Sequence, residues 1–170
     1  MSMHSPREVP ADRTIQTPEL MARFGRELAG LLVAGDVIVL TGELGAGKTT
    51  FTRGLGEGLG VRGAVTSPTF VLARTHPSLV GGPPLVHVDA YRLASALELD
   101  DLDIDFVNSI VVVEWGRGLV EELTESFLSI SIDRPRGAGT STEPETPGEE
   151  PIEARRIRFA ATGPRWSASS

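Results

Sequence analysis

The chain has 170 residues, 40% of them apolar and 23% charged, with a formal net charge of −7 and no cysteine. That length suits one folded unit with a real core, and the missing cysteine excludes a disulfide framework, a thiolate nucleophile or a cysteine zinc site. The acidic balance argues against a broad nucleic-acid footprint. With no apolar run near the roughly 20 residues of a membrane span, and no apolar signal core at the start, the chain reads as cytoplasmic.

Residues 1–13 mix Pro6 and Pro10 with charges and small side chains, and a loose tail is expected there. Thr17-Pro18 has the form of a helix N-cap followed by proline at the first helical position. Leu20, Phe24, Leu28 and Leu31 recur at intervals of three and four, so a helix is expected to about Ala34, ending at Gly35. Asp36 to Thr41 is a short apolar run between two glycines and reads as a buried strand.

The stretch Gly42-Glu43-Leu44-Gly45-Ala46-Gly47-Lys48-Thr49 fits G-x-x-x-x-G-K-[ST] without a mismatch. Each constrained position has a mechanical job. Glycines let the backbone curl so that its N–H groups cradle phosphate oxygens. Lys48 reaches the β- and γ-phosphates, the Thr49 hydroxyl suits Mg²⁺, and the helix opening there presents its positive end to an anion. Lys48 is the one lysine beside 15 arginines, a compact ammonium where a point charge must fit between phosphates. From Thr49 and Thr50 onward, Phe51, Leu55 and Leu59 keep helical spacing. The glycines between them make this a weak helix that packing must hold.

Val65 to Phe70 places three hydroxyls around Pro68, read either as a polar loop or as a switch segment sensing a γ-phosphate. Leu85 to Asp89 alternates and ends in a carboxylate, and Ile110 to Glu114 is a stronger version, a continuous apolar run as in buried parallel strands, also ending in one. In open α/β sheets ligands lie beyond the carboxyl ends of the strands, so both acids fall on the phosphate side if both strands run parallel to the loop strand. Either acid suits Mg²⁺ or an attacking water, and spacing does not assign the roles. Residues 94–105 read as a short helix and turn with a solvated acidic face. Leu119 to Leu123 reads as one helical turn, and Phe127 to Asp133 as a half-exposed antiparallel strand. The Pro-, Gly- and Glu-rich residues 134–150 read as a mobile loop. Ile152 to Ala160 reads as a last edge strand, and 161–170 as a flexible tail in which Trp166 has no evident role. The folded unit is therefore expected over 14–160: an α/β, phosphate-loop three-layer sandwich whose mainly parallel sheet carries antiparallel edge strands.

The order of motifs resembles the TsaE family. It comprises Gly42 to Phe51, then Ser67-Pro68-Thr69-Phe70, then His87-Val88-Asp89-Ala90-Tyr91-Arg92-Leu93, then Glu114-Trp115-Gly116, within roughly residues 14–133. The resemblance implies a slow ATPase that supports threonylcarbamoyladenosine (t6A) modification of tRNA adenosine 37 together with TsaD and TsaB, meeting tRNA only through that complex. It implies ATP and Mg²⁺ as ligands. Glu43, Leu44, Gly45, Ala46, Gly47, Lys48, Thr49 and Thr50 would surround the phosphates, and Thr49 with Glu114 would hold the metal. Asp89 would lie near the γ-phosphate, Ser67 and Thr69 in a switch-like loop, Trp115 beside the nucleotide, and Thr17 at the adenine pocket. The rival readings are a small-metabolite kinase, a guanine-nucleotide switch and a module that binds ATP without hydrolysing it. The switch normally needs an Asn-Lys-x-Asp element, for which no second lysine exists.

Overall fold

The computed structural model describes residues 7–43, 45–61, 73–134 and 154–167. Nine strands and three helices follow in order: β1 (Arg7–Glu8), β2 (Arg13–Ile15), α1 (Pro18–Ala29), β3 (Val37–Gly42), α2 (Lys48–Leu59), β4 (Ala73–His76), β5 (Leu85–Asp89), α3 (Ala96–Asp100), β6 (Ile110–Glu114), a 3₁₀ turn (Val120–Glu122), β7 (Phe127–Asp133), β8 (Arg155–Thr162) and β9 (Trp166–Ser167). Seven strands form one sheet in the order β2-β8-β7-β3-β6-β5-β4, while β1 and β9 pair separately. The four central strands β7, β3, β6 and β5 are mutually parallel. On one side β4 pairs antiparallel to β5; on the other β8 pairs antiparallel to β7, and β2 antiparallel to β8.

Continuous apolar runs make β3 and β6 buried on both faces, and their alternate residues feed two cores. Ile38, Leu40, Ile110, Val112, Leu128 and Ile130 face Met21, Phe24 and Leu28 of α1 and Phe51 and Leu55 of α2. On the other face Val37, Val39, Val86, Val88, Val111 and Val113 are covered by Leu99 of α3, Val120 and Phe127. Sheet between two covering layers is the three-layer arrangement expected from the sequence.

Helix α1 begins as read: Thr17 is its N-cap, and Thr17 Oγ1 accepts from Leu20 N at 3.2 Å. It ends earlier, at Ala29 with Gly30 as C-cap, and Leu31 and Leu32 continue only in tight turns back to Leu28 and Ala29. Its buried face is Met21, Phe24, Gly25 and Leu28, whereas Leu20 and Leu31 are exposed. The glycines of α2 have a packing reason. A Cβ on Gly54 would lie 2.1 Å from the Ala22 carbonyl oxygen, so only glycine lets the two helices approach this closely.

Three expectations are corrected. Strand β7 is not a half-exposed antiparallel strand. It lies inside the sheet, parallel to β3 and antiparallel to β8, with Leu128, Ile130 and Ile132 buried. The last long strand is not an edge, because β2 pairs outside it. Neither end of the chain is loose where described: Arg7 and Glu8 pair with Trp166 and Ser167, and Trp166 is buried beneath the Arg7 guanidinium, 4.3 Å from the ring centroid. The segment 135–150, read as a mobile loop, lies outside the described residues. Among the described residues no helix is long and apolar enough to cross a membrane.

Candidate functional site

Strand β3 delivers the glycine-rich loop to the carboxyl end of the sheet, and α2 starts immediately behind it. Gly45 and Gly47 take φ angles of +81° and +110°. This left-handed backbone is costly for L side chains and places the loop amides around the helix start. The Ala46 N–H closes the turn onto the Glu43 carbonyl at 3.0 Å, and Ala46 itself is fully buried. Lys48 is the first residue of α2, so its side chain rises from the helix's positive end.

Parallel pairing then sets the acids. Asp89 of β5 and Glu114 of β6 are register partners at the strand ends, and Leu40 pairs with Glu114 on the other side. Pleat parity puts His87, Asp89 and Glu114 on the face that α2 covers, the face of Leu85, Ile110 and Val112. The result is a cavity of about 720 Å³ whose walls include Glu43, Gly45, Gly47, Lys48, Thr49, Thr50, Asp89, Glu114 and Trp115, with Tyr91 at the rim.

Glu114 is 6% exposed and is held from two sides. His87 Nε2 donates to Glu114 Oε2 at 2.6 Å, and Lys48 Nζ lies 3.6 Å from Oε1. His87 is fully buried, and its Nδ1 has no partner among the described residues. A proton on Nε2 and a bare Nδ1 is the arrangement that leaves no buried N–H unsatisfied. Burial by itself would push the Glu114 carboxyl up. The hydrogen bond from His87 and then the Lys48 ammonium outweigh it and hold the group below the ordinary carboxylate range.

Trp115 follows with φ of +62°, a left-handed conformation unusual for an aromatic residue. The peptide is pinned by Trp115 N–H donating to the Leu40 carbonyl at 3.1 Å. That turn lays the indole against Lys48, with Nζ 4.3 Å from the ring centroid, and against Tyr91, with ring centroids 5.7 Å apart. Trp115 and Glu43 also wall a second cavity of about 410 Å³, reached by Thr41, Arg117 and Arg158.

The fold thus gathers Glu43, Gly45, Gly47, Lys48, Thr49, Thr50, Asp89, Glu114 and Trp115 around one cavity. Ala46 lies buried behind the loop. Thr17 is not among the walls; its hydroxyl caps α1, one turn before Met21, whose Cε would be 3.3 Å from a Cβ on Gly47. Leu44, Ser67 and Thr69 lie outside the described residues. The sequence reading gave His87 no role, although its place two residues before Asp89 put both on one strand face. No local signal marked Arg155, which donates from Nε to the Ala46 carbonyl at 3.1 Å and from Nη2 to the Gly45 carbonyl at 3.3 Å.

The sequence model of the family described as threonylcarbamoyl adenosine biosynthesis protein TsaE matches residues 15–141. This chain belongs to the TsaE family. The tRNA threonylcarbamoyladenosine biosynthesis protein TsaE of Streptomyces coelicolor is 57% identical over 152 residues, covering 88% of this chain and 95% of that one. Its namesake in Bacillus subtilis is 36% identical over 157 residues, covering 91% of this chain and 87% of the relative. The crystal structure of Bacillus subtilis YdiB superposes with a TM-score of 0.65 at 32% identity, covering 94% of this chain and 91% of that one. The family takes part in tRNA t6A biosynthesis, and the matched range of this chain takes in the loop, both strand-end acids and Trp115.

Proposed function

We propose that this chain is the ATPase of t6A biosynthesis, binding Mg·ATP in the 720 Å³ cavity and hydrolysing it slowly in support of TsaD and TsaB, which carry out the threonylcarbamoyl transfer. The observation that carries the reading is the convergence, in one cavity, of a left-handed glycine loop, Lys48 at a helix start and a lowered carboxyl at Glu114. The loop amides and Lys48 bind the phosphates. The ammonium lies 3.6 Å from Glu114 Oε1 and 4.3 Å from the centroid of the Trp115 ring, and these contacts aim it at the cavity.

The donor set fits Mg²⁺. Among the described residues no group of three His, Asp or Glu side chains could hold a metal unaided. One carboxylate and one hydroxyl, Glu114 and Thr49, with phosphate oxygens and water completing the shell, is what Mg²⁺ prefers. When bound there, the ion neutralises charge on the β- and γ-phosphates. Of the cavity's other two acids, Glu43 and Asp89, it is the strand-end Asp89 that orients the attacking water; its Oδ1 accepts the Tyr91 N–H at 3.0 Å, which fixes the carboxylate. His87 holds Glu114 from behind, so that one oxygen is fixed and the other faces the cavity.

No arginine is among the cavity's described walls. A partner that supplies a transition-state cation in trans fits this reading, as it does for hydrolases whose own site is incomplete. The purified chain should therefore turn over ATP poorly alone. The deciding experiment is a t6A assay with TsaD and TsaB from the same source, with ATP and with a non-hydrolysable analogue. Formation of t6A without this chain, or brisk ATP turnover by the chain alone, would overturn the reading. Transfer of the γ-phosphate to a small acceptor rather than water would favour the kinase instead.

A further inference from the structure

The glycines that let the phosphate loop curl also leave it little stiffness of its own. Gly45 and Gly47 both sit in left-handed backbone, and among the described residues the turn is closed by the Ala46 N–H donating to the Glu43 carbonyl at 3.0 Å. A loop of this kind loses conformational entropy when it closes on an anion unless something outside it sets its shape beforehand. On the side of β7 and β8 such a tether is present. Arg155 opens β8, its backbone fixed by pairing with Ile15 of β2. Its guanidinium reaches across to the loop, donating to the Ala46 carbonyl at 3.1 Å and the Gly45 carbonyl at 3.3 Å.

We propose that Arg155 is a positioning residue of the phosphate loop: its guanidinium fork draws two loop carbonyls outward and so turns the Gly47 amide toward the triphosphate. The proposal rests on the reading of the cavity given above. A trans peptide is planar, with its N–H antiparallel to its C=O. Fixing the Ala46 carbonyl on Arg155 therefore points the Gly47 N–H away from Arg155, and Gly47 is a wall of the nucleotide cavity. The fork geometry matters as well as the charge, because the two carbonyls are bound by different nitrogens, Nε and Nη2, held apart in one rigid plane, whereas an ammonium offers a single nitrogen on a flexible stem. Arg155 touches no phosphate in this scheme. It acts through the backbone.

The test uses the full chain with Arg155→Ala, Arg155→Lys and Arg155→Gln. ATP and adenosine affinities are measured by calorimetry, and the Gly47 amide by ¹⁵N–¹H resonance. The expected result is a loss of about tenfold in ATP affinity for R155A, the size of a lost charge-assisted hydrogen bond. Adenosine affinity should be unchanged, since only phosphate meets the loop. The lysine variant should recover less than half of the loss on a logarithmic scale, because it restores charge without the fork. Equal losses for ATP and adenosine, full recovery in R155K, or an unmoved Gly47 resonance in R155A would each overturn the proposal. If R155A unfolds, R155Q and R155K carry the same comparison. Should the native chain not bind Mg·ATP, the reading of the cavity fails, while the ligand-free Gly47 resonance still judges whether Arg155 sets the loop.

Discussion

Two carboxylates are buried at opposite ends of strand β3 and its neighbour, and they are treated very differently. Asp36, 1% exposed just before β3, is saturated. Arg7 binds both of its oxygens, Arg165 Nη1 lies 3.3 Å from Oδ1, and the Val33 N–H donates to Oδ2 at 2.7 Å. Glu114, at the carboxyl end of β6, has one oxygen firmly bound by His87 and the other only 3.6 Å from Lys48, facing a cavity. A carboxylate whose acceptor sites are all filled from within the chain can hold the chain together and do little else. One left partly unfilled beside a cavity has capacity to spare for a ligand. The same comparison separates the arginines of the first end, which tie the two chain termini together, from the single lysine of the second.

The largest effect expected from breaking the comparison lies at Asp36. Asp36→Ala removes the group that joins Arg7, Arg165 and the 33–36 turn, and should cost about 3 kcal/mol or more in urea unfolding, as loss of one partner of a buried pair does. Mg·ATP affinity of the folded fraction should stay as in the native chain; a parallel loss of affinity would show that the two ends are not independent. Next comes Lys48→Ala. Its removal should lower kcat/KM for ATP on the order of a hundredfold, the scale of losing one preorganised charge stabiliser. Thermal stability should hardly change, since the ammonium is only loosely paired. Unchanged turnover would remove Lys48 from the site.

How much of this could be read from the residues follows from how local the cause is. The loop was legible because each of its constrained positions is dictated by stereochemistry or charge; β6 was legible to the residue because burial on both faces needs an unbroken apolar run, and β5 because its aliphatic residues end, like those of β6, in a carboxylate. The facing of α1 was not, since Met21 and Gly25 rather than Leu20 and Leu31 meet the glycine-opened surface of α2. A sequence shows Gly54 as a weak helix former; only the neighbouring Ala22 shows it as a contact. The ends of the chain read as tails because what orders them, Trp166 beneath Arg7 and both arginines on Asp36, joins segments at opposite ends of the sequence. His87 was hidden for the same reason: its partner sits on the adjacent strand.

Smaller effects sharpen the contrast at Glu114. Glu114→Gln keeps an amide oxygen for His87 to bond and removes the charge. Mg²⁺-dependent turnover should fall by about tenfold or more, as expected when a ligand of the catalytic ion is neutralised. Stability should change by less than about 1 kcal/mol at neutral pH, well below the cost at Asp36. If the glutamine variant were as unstable as Asp36→Ala, Glu114 would be a structural carboxylate like the other, and the distinction between the two ends would vanish.

The smallest effect is the pH dependence of that difference, and it decides which force governs Glu114. In the unfolded chain this glutamate titrates in the ordinary carboxylate range; in the folded chain His87 and Lys48 hold it lower, against the opposing effect of burial. The ionised form is therefore favoured by folding, so its stabilising contribution is complete above the ordinary range and is lost as pH falls through the lowered folded value. The stability of the native chain minus that of Glu114→Gln, followed by urea unfolding from neutral pH into acid, should be flat at first and then shrink. A difference that grew on acidification would mean that burial outweighs His87 and Lys48. The carboxyl would then enter the neutral range poised to take up a proton, and a proton there would compete with Mg²⁺ for the oxygen that faces the cavity.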